Sequence, residues 1–224
     1  MVESAKIYEK VGVNGLAKRT SRKRTAALLR KIIPLLSKKD KILDVGCGYG
    51  RVGLELERKG FDVDGIDISP NLINHAKQVS QDPSRFIVGD IRKLAYKKES
   101  FDKIICLWSV FNEITNKKDQ IKSLSEIHRV LGPSGEAIID IINGETMFMK
   151  IVASISRIYY GENESDIWVS KVRCMDGKHL KVKYFMYTKK YLSGLIKDAG
   201  FSKFSFENKK IAGRNRIFIL LHKS

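Results

Sequence analysis

The chain has 224 residues, 43% hydrophobic and 9% aromatic, which is enough for one globular domain with a substantial core. This composition excludes collagen-like and disordered chains, and no apolar run reaches the ~18 residues of a membrane span. The first thirty residues carry charge throughout, and the three cysteines and four histidines have no metal-ligand spacing. We therefore expect a cytoplasmic protein with reduced thiols and no metal site.

The formal net charge of +17 is unevenly distributed. Residues 1–41 hold 12 basic against 3 acidic residues, residues 42–142 hold 14 against 15, and residues 143–224 hold 16 against 7. A neutral middle between two basic ends predicts a positive face for an anionic partner. Lysines that only increase solubility are the alternative.

The predicted elements begin with an amphipathic helix whose apolar residues run from Leu28 to Leu36 at helical spacing. Short apolar runs then alternate with helical patterns, which is typical of a parallel sheet buried on both faces. Strands are predicted over residues 41–45, 62–68, 85–88, 101–108 and 136–142. Helices are predicted over 51–59 and 71–79, and a third carries the apolar stripe 121–131 and should end at a left-handed Gly132 before Pro133.

The pattern changes after the fifth predicted strand. A helix is predicted over 147–160, followed by strands over 168–175 and 178–187 that flank Asp176-Gly177, a common hairpin turn pair. A helix over 191–199 should end at Gly200. Two last strands, 201–206 and 216–221, should be joined by a polar turn over 208–215.

A glycine-rich turn, LDVGCGYG, follows the first predicted strand. Such a turn lets a ligand approach the backbone, and the next helix offers unpaired N–H groups, so a nucleotide-like ligand is indicated. The dinucleotide pattern G-x-G-x-x-G occurs only out of register, from Gly48 to Gly53. Asp44, directly before the glycines, suits an ammonium group better than a pyrophosphate.

Two further aspartates close the next two predicted strands. Asp67 lies 21 residues after Gly46, a spacing at which a carboxylate can accept both ribose hydroxyls of any adenosine cofactor. Asp90 can accept the exocyclic amine of adenine while the Ile91 amide serves a ring nitrogen. Each acid alone is more typical of a turn or a cap than of a ligand site, so the ordered set carries the prediction.

With these residues the sequence resembles the class I S-adenosylmethionine-dependent methyltransferases. LDVGCGYG is similar to their first motif, VDGIDIS to their acidic second-strand end and FIVGDI to their adenine-side motif. FDKIICLWSVFNEI is similar to their fourth strand, and EIHRVLGPSGEAIID to the helix, turn and fifth strand. The resemblance covers residues 38–143 closely and 191–221 more loosely.

The resemblance implies an α/β fold, a Rossmann-like three-layer sandwich with a seven-stranded, mostly parallel sheet whose last strand is antiparallel, plus a small antiparallel cap insertion. We expect one methyltransferase domain over 1–224. Its expected parts are an N-terminal helical lid (1–37), a cofactor-binding core (38–143), a substrate-cap insertion (144–190) and a terminal helix-strand-strand unit (191–224).

The implied cofactor is S-adenosyl-L-methionine, lying across the carboxyl ends of the first four strands. The resemblance implies that the glycines pass under its methionine part and that Asp67 binds the ribose. Asp90 and Ile91 should bind the adenine, and Ile68 should pack on the face of the adenine ring. The Leu107 backbone oxygen should accept a hydrogen bond from the amino group. Tyr8 is a candidate lid residue. The full predicted set is Asp44, Gly46, Gly48, Gly50, Asp67, Ile68, Asp90, Ile91, Leu107 and Tyr8.

Methyl transfer needs mainly alignment of acceptor, methyl and sulfur in a desolvated pocket, plus removal of one proton from some acceptors. The candidate bases after the fourth strand are Ser109, Asn112 and Glu113. Aromatic residues of the insertion and its flanks are candidates for the acceptor pocket, with core packing as the alternative: Phe148, Tyr159, Tyr160, Trp168, Tyr184 and Tyr187.

Three functions remain open from the sequence. The first is O- or N-methylation of a small organic acceptor. An anionic acceptor would be attracted by a ring of basic residues that we expect around the opening: Lys18, Arg19, Arg22, Lys171, Arg173, Lys181 and Lys183. The second is methylation of tRNA or rRNA, although no Asn/Asp-Pro-Pro-Tyr/Phe motif follows the fourth strand. The third is a nicotinamide-dependent oxidoreductase or a nucleotide-binding protein without catalytic activity. We expect a monomer or homodimer that does not bind membranes.

Overall fold

The computed structural model describes residues 3–19, 21–174 and 176–224, which form alternating helices and strands. The helices are α1 (Glu3–Arg19), α2 (Arg22–Ile32), α3 (Gly53–Arg58), α4 (Pro70–Val79), α5 (Lys117–Val130), α6 (Met147–Tyr160) and α7 (Lys189–Asp198). The strands are β1 (Lys41–Val45), β2 (Asp62–Asp67), β3 (Phe86–Val88), β4 (Phe101–Cys106), β5 (Leu131–Ile142), β6 (Ile167–Arg173), β7 (His179–Phe185), β8 (Lys203–Ile211) and β9 (Arg214–His222).

Seven of these strands form one sheet in the order β3-β2-β1-β4-β5-β9-β8. Pairing is parallel from β3 to β5, and β9 runs antiparallel to both of its neighbours. This confirms the predicted mostly parallel sheet with an antiparallel last strand. The carboxyl ends of β1 to β4 therefore meet at one edge, which is where open α/β sheets bind ligands.

Helices cover both faces of the sheet, because successive residues of a strand point to opposite sides. Ile42 packs with α2 and α3, whereas its neighbour Leu43 packs with α5 and α7. Ile104 and Ile105 of β4 divide between the same two clusters. The apolar runs of the central strands are thus explained by burial on both sides.

A cap lies over the carboxyl edge of the sheet. β6 and β7 form a separate antiparallel hairpin, as predicted. Val172 and Val182 on one face of this hairpin pack with Val11 of α1. The backbone N–H of Val169 donates to Ser156 Oγ of α6, at 3.4 Å. The hairpin is therefore held between the N-terminal helix and α6.

Several predicted boundaries are wrong in the core. β4 ends at Cys106 instead of residue 108, because Trp108 and Ser109 have left-handed φ angles of 61° and 69°. β2 and β3 are each one residue shorter than predicted. The helix predicted over 51–59 spans only Gly53–Arg58, since the glycine-rich turn continues through Val52.

The predicted chain reversals also differ. Gly132 is not left-handed: α5 ends with an extended Leu131 and Ser134 takes the positive φ of 61°. The polar segment 208–215 is mostly strand, and Ala212 and Gly213 make the turn with φ angles of 47° and 82°. The predicted end of the first cap strand, Met175, lies outside the described residues. None of the described helices combines the length and apolar character needed to cross a membrane.

Candidate functional site

A cavity of about 450 Å³ lies at the carboxyl ends of β1 to β4, beneath the cap. Nine of the ten predicted cofactor residues line it, the exception being Gly50. It is also lined by Leu16 of α1 and by Trp168 and Tyr184 of the hairpin. Of the six aromatic residues considered for an acceptor pocket, only these two hairpin residues line the cavity, whereas Phe148 and Tyr159 are exposed.

The glycine-rich turn forms the floor of the cavity. The N–H of Gly46 donates to Ile66 O at 2.8 Å, which joins the turn to β2. Gly48 has a φ of 57°, and a Cβ there would meet nothing nearer than Leu72 Cδ1 at 4.0 Å. The backbone at Gly48 is therefore open to a ligand, and the positive φ favours glycine. Gly50 shapes the turn instead, since a Cβ there would lie 2.6 Å from Leu54 Cδ1.

Asp44 lies at the base of the cavity and is 2% exposed. Its Oδ2 accepts the N–H of Gly53 at 3.0 Å, at the start of α3. Burial raises the pKa of Asp44 to about 7, although the Gly53 hydrogen bond acts in the opposite direction. A cationic ligand beside this carboxyl would favour its charged form.

Asp67 lies at the end of β2 and accepts hydrogen bonds from two backbone N–H groups of the cavity wall. Its Oδ2 accepts the Gly48 N–H at 2.8 Å and its Oδ1 accepts the Ser69 N–H at 2.9 Å. Burial raises the pKa of this carboxyl against those two hydrogen bonds. Because each carboxylate oxygen has a second lone pair, Asp67 can accept further donors from a ligand.

Asp90 is held by an arginine that the sequence did not single out. Arg92 Nη2 donates to Asp90 Oδ2 at 2.6 Å, and Arg92 Nη1 donates to Asp119 Oδ2 at 2.6 Å. Burial acts to raise the pKa of Asp90, but the hydrogen bonds and charge of Arg92 outweigh it and hold that pKa below its usual range. Asp90 is thus fixed as a carboxylate at the rim of the cavity.

The three candidate bases have different surroundings. Ser109 and Glu113 line the cavity, and Glu113 accepts a hydrogen bond from the Tyr8 hydroxyl of α1. Asn112 does not line it: its Nδ2 donates to Phe185 O at 2.8 Å and its Oδ1 accepts the Ile142 N–H at 3.0 Å. Asn112 therefore ties the loop after β4 to β5 and to the hairpin.

Sequence reasoning missed the arginines at the other end of the cavity. Arg51, Arg214 and Arg216 all line it, and the guanidinium carbon of Arg51 lies 4.0 Å from the centre of the Trp108 ring. Arg216 is 5% exposed and donates from Nε to Asp140 Oδ1 at 2.6 Å. The sequence could have indicated Arg51, because it directly follows the third glycine of the turn. It could not indicate the arginines of β9, because their place at the cavity depends on the order of the strands in the sheet.

The predicted basic ring around the opening is wrong for the hairpin residues. Trp168 and Tyr184, which line the cavity, lie on one face of the hairpin. Exposed on the opposite face, alternating with them, are the four basic hairpin residues of the predicted ring: Lys171, Arg173, Lys181 and Lys183. Lys18 and Arg22 are exposed and do not line the cavity either, and the side chain of Arg19 lies outside the described part.

The sequence is similar to those of known methyltransferases. A family model described as "Methyltransferase domain" matches residues 42–135. YqeM of Bacillus subtilis, named as an inferred methyltransferase, is 33% identical over 108 residues, covering 47% of this chain and 44% of YqeM. A glycine/sarcosine N-methyltransferase of Halorhodospira halochloris is 28% identical over 182 residues, covering 73% and 66%. The chain thus matches less than half of YqeM and about two thirds of the second relative.

Solved structures agree on the fold. A SAM-dependent methyltransferase of Methanosarcina mazei superposes with a TM-score of 0.68 at 22% identity, over 86% of this chain and 96% of the other. The fold is therefore a Rossmann-like α/β fold. Over residues 42–135 the chain is similar to methyltransferase domains, and its fold is similar to that of a solved S-adenosylmethionine-dependent methyltransferase.

Proposed function

We propose that this protein transfers the methyl group of S-adenosylmethionine to a small organic acceptor on oxygen or nitrogen. The observation that carries the proposal is one cavity with cofactor-type acids at β1 to β3 and a cap above it. Its volume of about 450 Å³ is within the range of small-molecule sites. The cap strands contribute Trp168 and Tyr184 to its wall, which limits the acceptor's size.

The residues of the cavity fit the cofactor. Asp67 would accept its ribose hydroxyls, Asp90 and the Ile91 amide would bind the adenine edge, and Ile68 would pack on its face. The open backbone at Gly48 would lie under the methionine part. Asp44 would attract the ammonium group, with the Leu107 backbone oxygen as a second acceptor.

The bound cofactor supplies an activated methyl group on a sulfonium, so the protein mainly aligns the acceptor and excludes water. Of the three candidate bases in the loop after β4, Glu113 and Ser109 line the cavity. The carboxylate of Glu113 can take a proton from an acceptor held there, and the hydroxyl of Ser109 can hydrogen-bond to it. The Tyr8 hydroxyl orients Glu113 by donating to it. Tyr8 also connects the N-terminal helix to this loop, as a lid residue would.

The name of one relative supports a small acceptor, since it states methylation of glycine and sarcosine. RNA is the second candidate, because the chain carries a net charge of +17. However, the basic face of the hairpin is opposite to the face that lines the cavity. Binding of a polynucleotide to that basic face would therefore not bring it to the cavity where the methyl group is transferred.

The test is a transfer assay with methyl-labelled S-adenosylmethionine and a cell extract separated into small molecules and total RNA. We expect label in the small-molecule fraction, loss of label with Asp67→Ala and retention of label with Asp62→Ala. Asp62 is a matched control because it lies on the same strand outside the cavity. Label entering RNA alone would contradict a small acceptor, and no transfer to either fraction would contradict the proposed activity.

A further inference from the structure

The two ends of the cavity differ in charge. At the β2 and β3 end it is lined by Asp67, Asp90 and Asp119, with Arg92 between the last two. At the opposite end, formed by β4, β5 and β9, it is lined by Arg51, Trp108, Arg214 and Arg216. We call these four residues the arginine end. A ligand that spans the cavity therefore meets acids at one end and guanidinium groups at the other.

Arg51 carries the clearest sign of a missing partner. Its Nη1 is buried and has no hydrogen-bond partner within the described residues. Burial lowers the pKa of Arg51 to about 10, against the charges of the nearby acids, so the side chain keeps its proton at neutral pH. A buried donor on a charged group destabilises the folded protein when it has no hydrogen-bond acceptor. An anion that supplies the acceptor therefore stabilises the folded protein.

Trp108 provides a second, independent sign. Its indole Nε1 is also buried and without a partner in the part of the chain that the structure describes. Its backbone is left-handed and held by Asp140, whose Oδ2 accepts the Trp108 N–H at 3.1 Å. The two unpaired donors thus belong to Arg51 and Trp108, whose side chains are in contact. The strained backbone of Trp108 positions its indole.

The neighbouring carboxylates already have partners. Asp140 is used by Arg216 and by the Trp108 N–H. Glu113 is used by Tyr8. Asp44 accepts from Gly53, and burial raises its pKa to about 7, which reduces its negative charge at neutral pH. The positive charge of Arg51 is therefore only partly neutralised within the cavity.

We propose that Arg51 and Trp108 bind a carboxylate or phosphate group of the methyl acceptor at the arginine end. Arg214 and Arg216 add positive charge, and the rings of Trp108, Trp168 and Tyr184 add aromatic surface to the cavity lining. The acceptor class is then a small molecule with one anionic group. The inference rests on the proposed function and adds the substrate class to it. The carboxylate of the cofactor's methionine part has the same chemistry and is the alternative source.

The test measures ligand binding by calorimetry in the wild type, in Arg51→Gln and in the matched control Arg58→Gln. Arg58 is a suitable control because it is exposed on α3 and outside the cavity. The cofactor probes are S-adenosylhomocysteine and its decarboxylated analogue. The acceptor probes, added to protein saturated with S-adenosylhomocysteine, are phenyl phosphate, benzoate and the neutral isostere benzamide. Thermal unfolding shows that each variant is folded.

We expect phenyl phosphate and benzoate to bind the loaded wild type and Arg58→Gln, and benzamide to bind at least ~10-fold more weakly. Arg51→Gln should weaken both anions by ~10-fold or more and leave S-adenosylhomocysteine within about threefold. Arg51→Lys should recover only part of the affinity, because an ammonium lacks the planar fork.

Three results would contradict the proposal or the proposed function. If Arg51→Gln weakens S-adenosylhomocysteine but not its decarboxylated analogue, Arg51 holds the cofactor carboxylate and the acceptor site is refuted. If neither cofactor nor anion binding changes, Arg51 is not part of an anion site. If the wild type fails to bind S-adenosylhomocysteine at all, the proposed function itself fails, which is a separate result.

Discussion

The pKa of Asp44 shows how burial can be coupled to the binding of a cationic ligand at a single residue. Its pKa of about 7 means that the carboxyl is only partly ionised at neutral pH without a ligand. This folded-state pKa is above the usual value, so the stability that the group contributes at low pH is lost as pH rises through about 7. A bound ammonium group would favour ionisation and therefore couple binding to proton release.

The resulting prediction concerns pH. The affinity for S-adenosylhomocysteine, which carries the ammonium group, should rise about tenfold between about pH 6 and pH 8, because the ionised fraction of Asp44 rises about tenfold. Asp44→Asn should bind more weakly and lose most of this pH dependence. Calorimetry in two buffers of different ionisation enthalpy would also detect the released proton. An affinity that is flat with pH in the wild type would contradict the prediction.

At this scale the sequence predicted the residues that lie near one another in the chain. Asp44 and the glycines are adjacent, and Asp67 and Asp90 follow from the rule that parallel strands end at one edge. The contact of Arg51 with Trp108 was not predictable in the same way. It depends on a left-handed backbone at Trp108 and on an acid 32 residues further along the chain.

At the scale of elements, the loop after β4 is the junction between the sheet and the cap. Asn112 is fully buried there and bridges Ile142 at the end of β5 and Phe185 at the end of β7. Tyr187, just beyond β7, donates from its hydroxyl to Phe111 O at 3.1 Å. The candidate base Glu113 therefore stands on a loop whose position is fixed by hydrogen bonds to the cap.

We predict that Asn112→Ala lowers the free energy of unfolding by about 3 kcal/mol, because it leaves a buried N–H and a buried C=O unpaired. The exposed Asn71→Ala on α4 is the matched control and should change stability by less than about 0.5 kcal/mol. Urea denaturation measures both. Unchanged stability together with lost methyl transfer would instead place Asn112 in the chemistry.

The elements themselves were predicted better than their ends. All strands of the central sheet and the hairpin were expected, because their apolar runs and turn residues are local signals. The turn between β8 and β9 was misplaced because the polar residues 208–210 continue the outermost strand of the sheet. Polar residues are compatible with such an edge position, so polarity alone did not mark the turn.

At the scale of the whole molecule, the sheet order creates the division of the cavity. β1 lies between β2 and β4, so the acids at the ends of β2 and β3 are separated from the arginines of β9. The buried pair of Arg216 and Asp140 connects β9 to β5 at this end. Sequence could predict the order by resemblance, but not which arginines of a chain with 42 basic residues face the cavity.

The central claim is that this cavity is an S-adenosylmethionine site, and the most direct measurement is calorimetric titration with S-adenosylhomocysteine and, separately, NAD. We expect S-adenosylhomocysteine to bind with ~micromolar affinity, or about 8 kcal/mol, and NAD not to bind. Asp67→Ala should weaken binding by about 2 kcal/mol, because the ribose hydroxyls lose a charged acceptor. Binding of NAD without any response to S-adenosylhomocysteine would contradict the account.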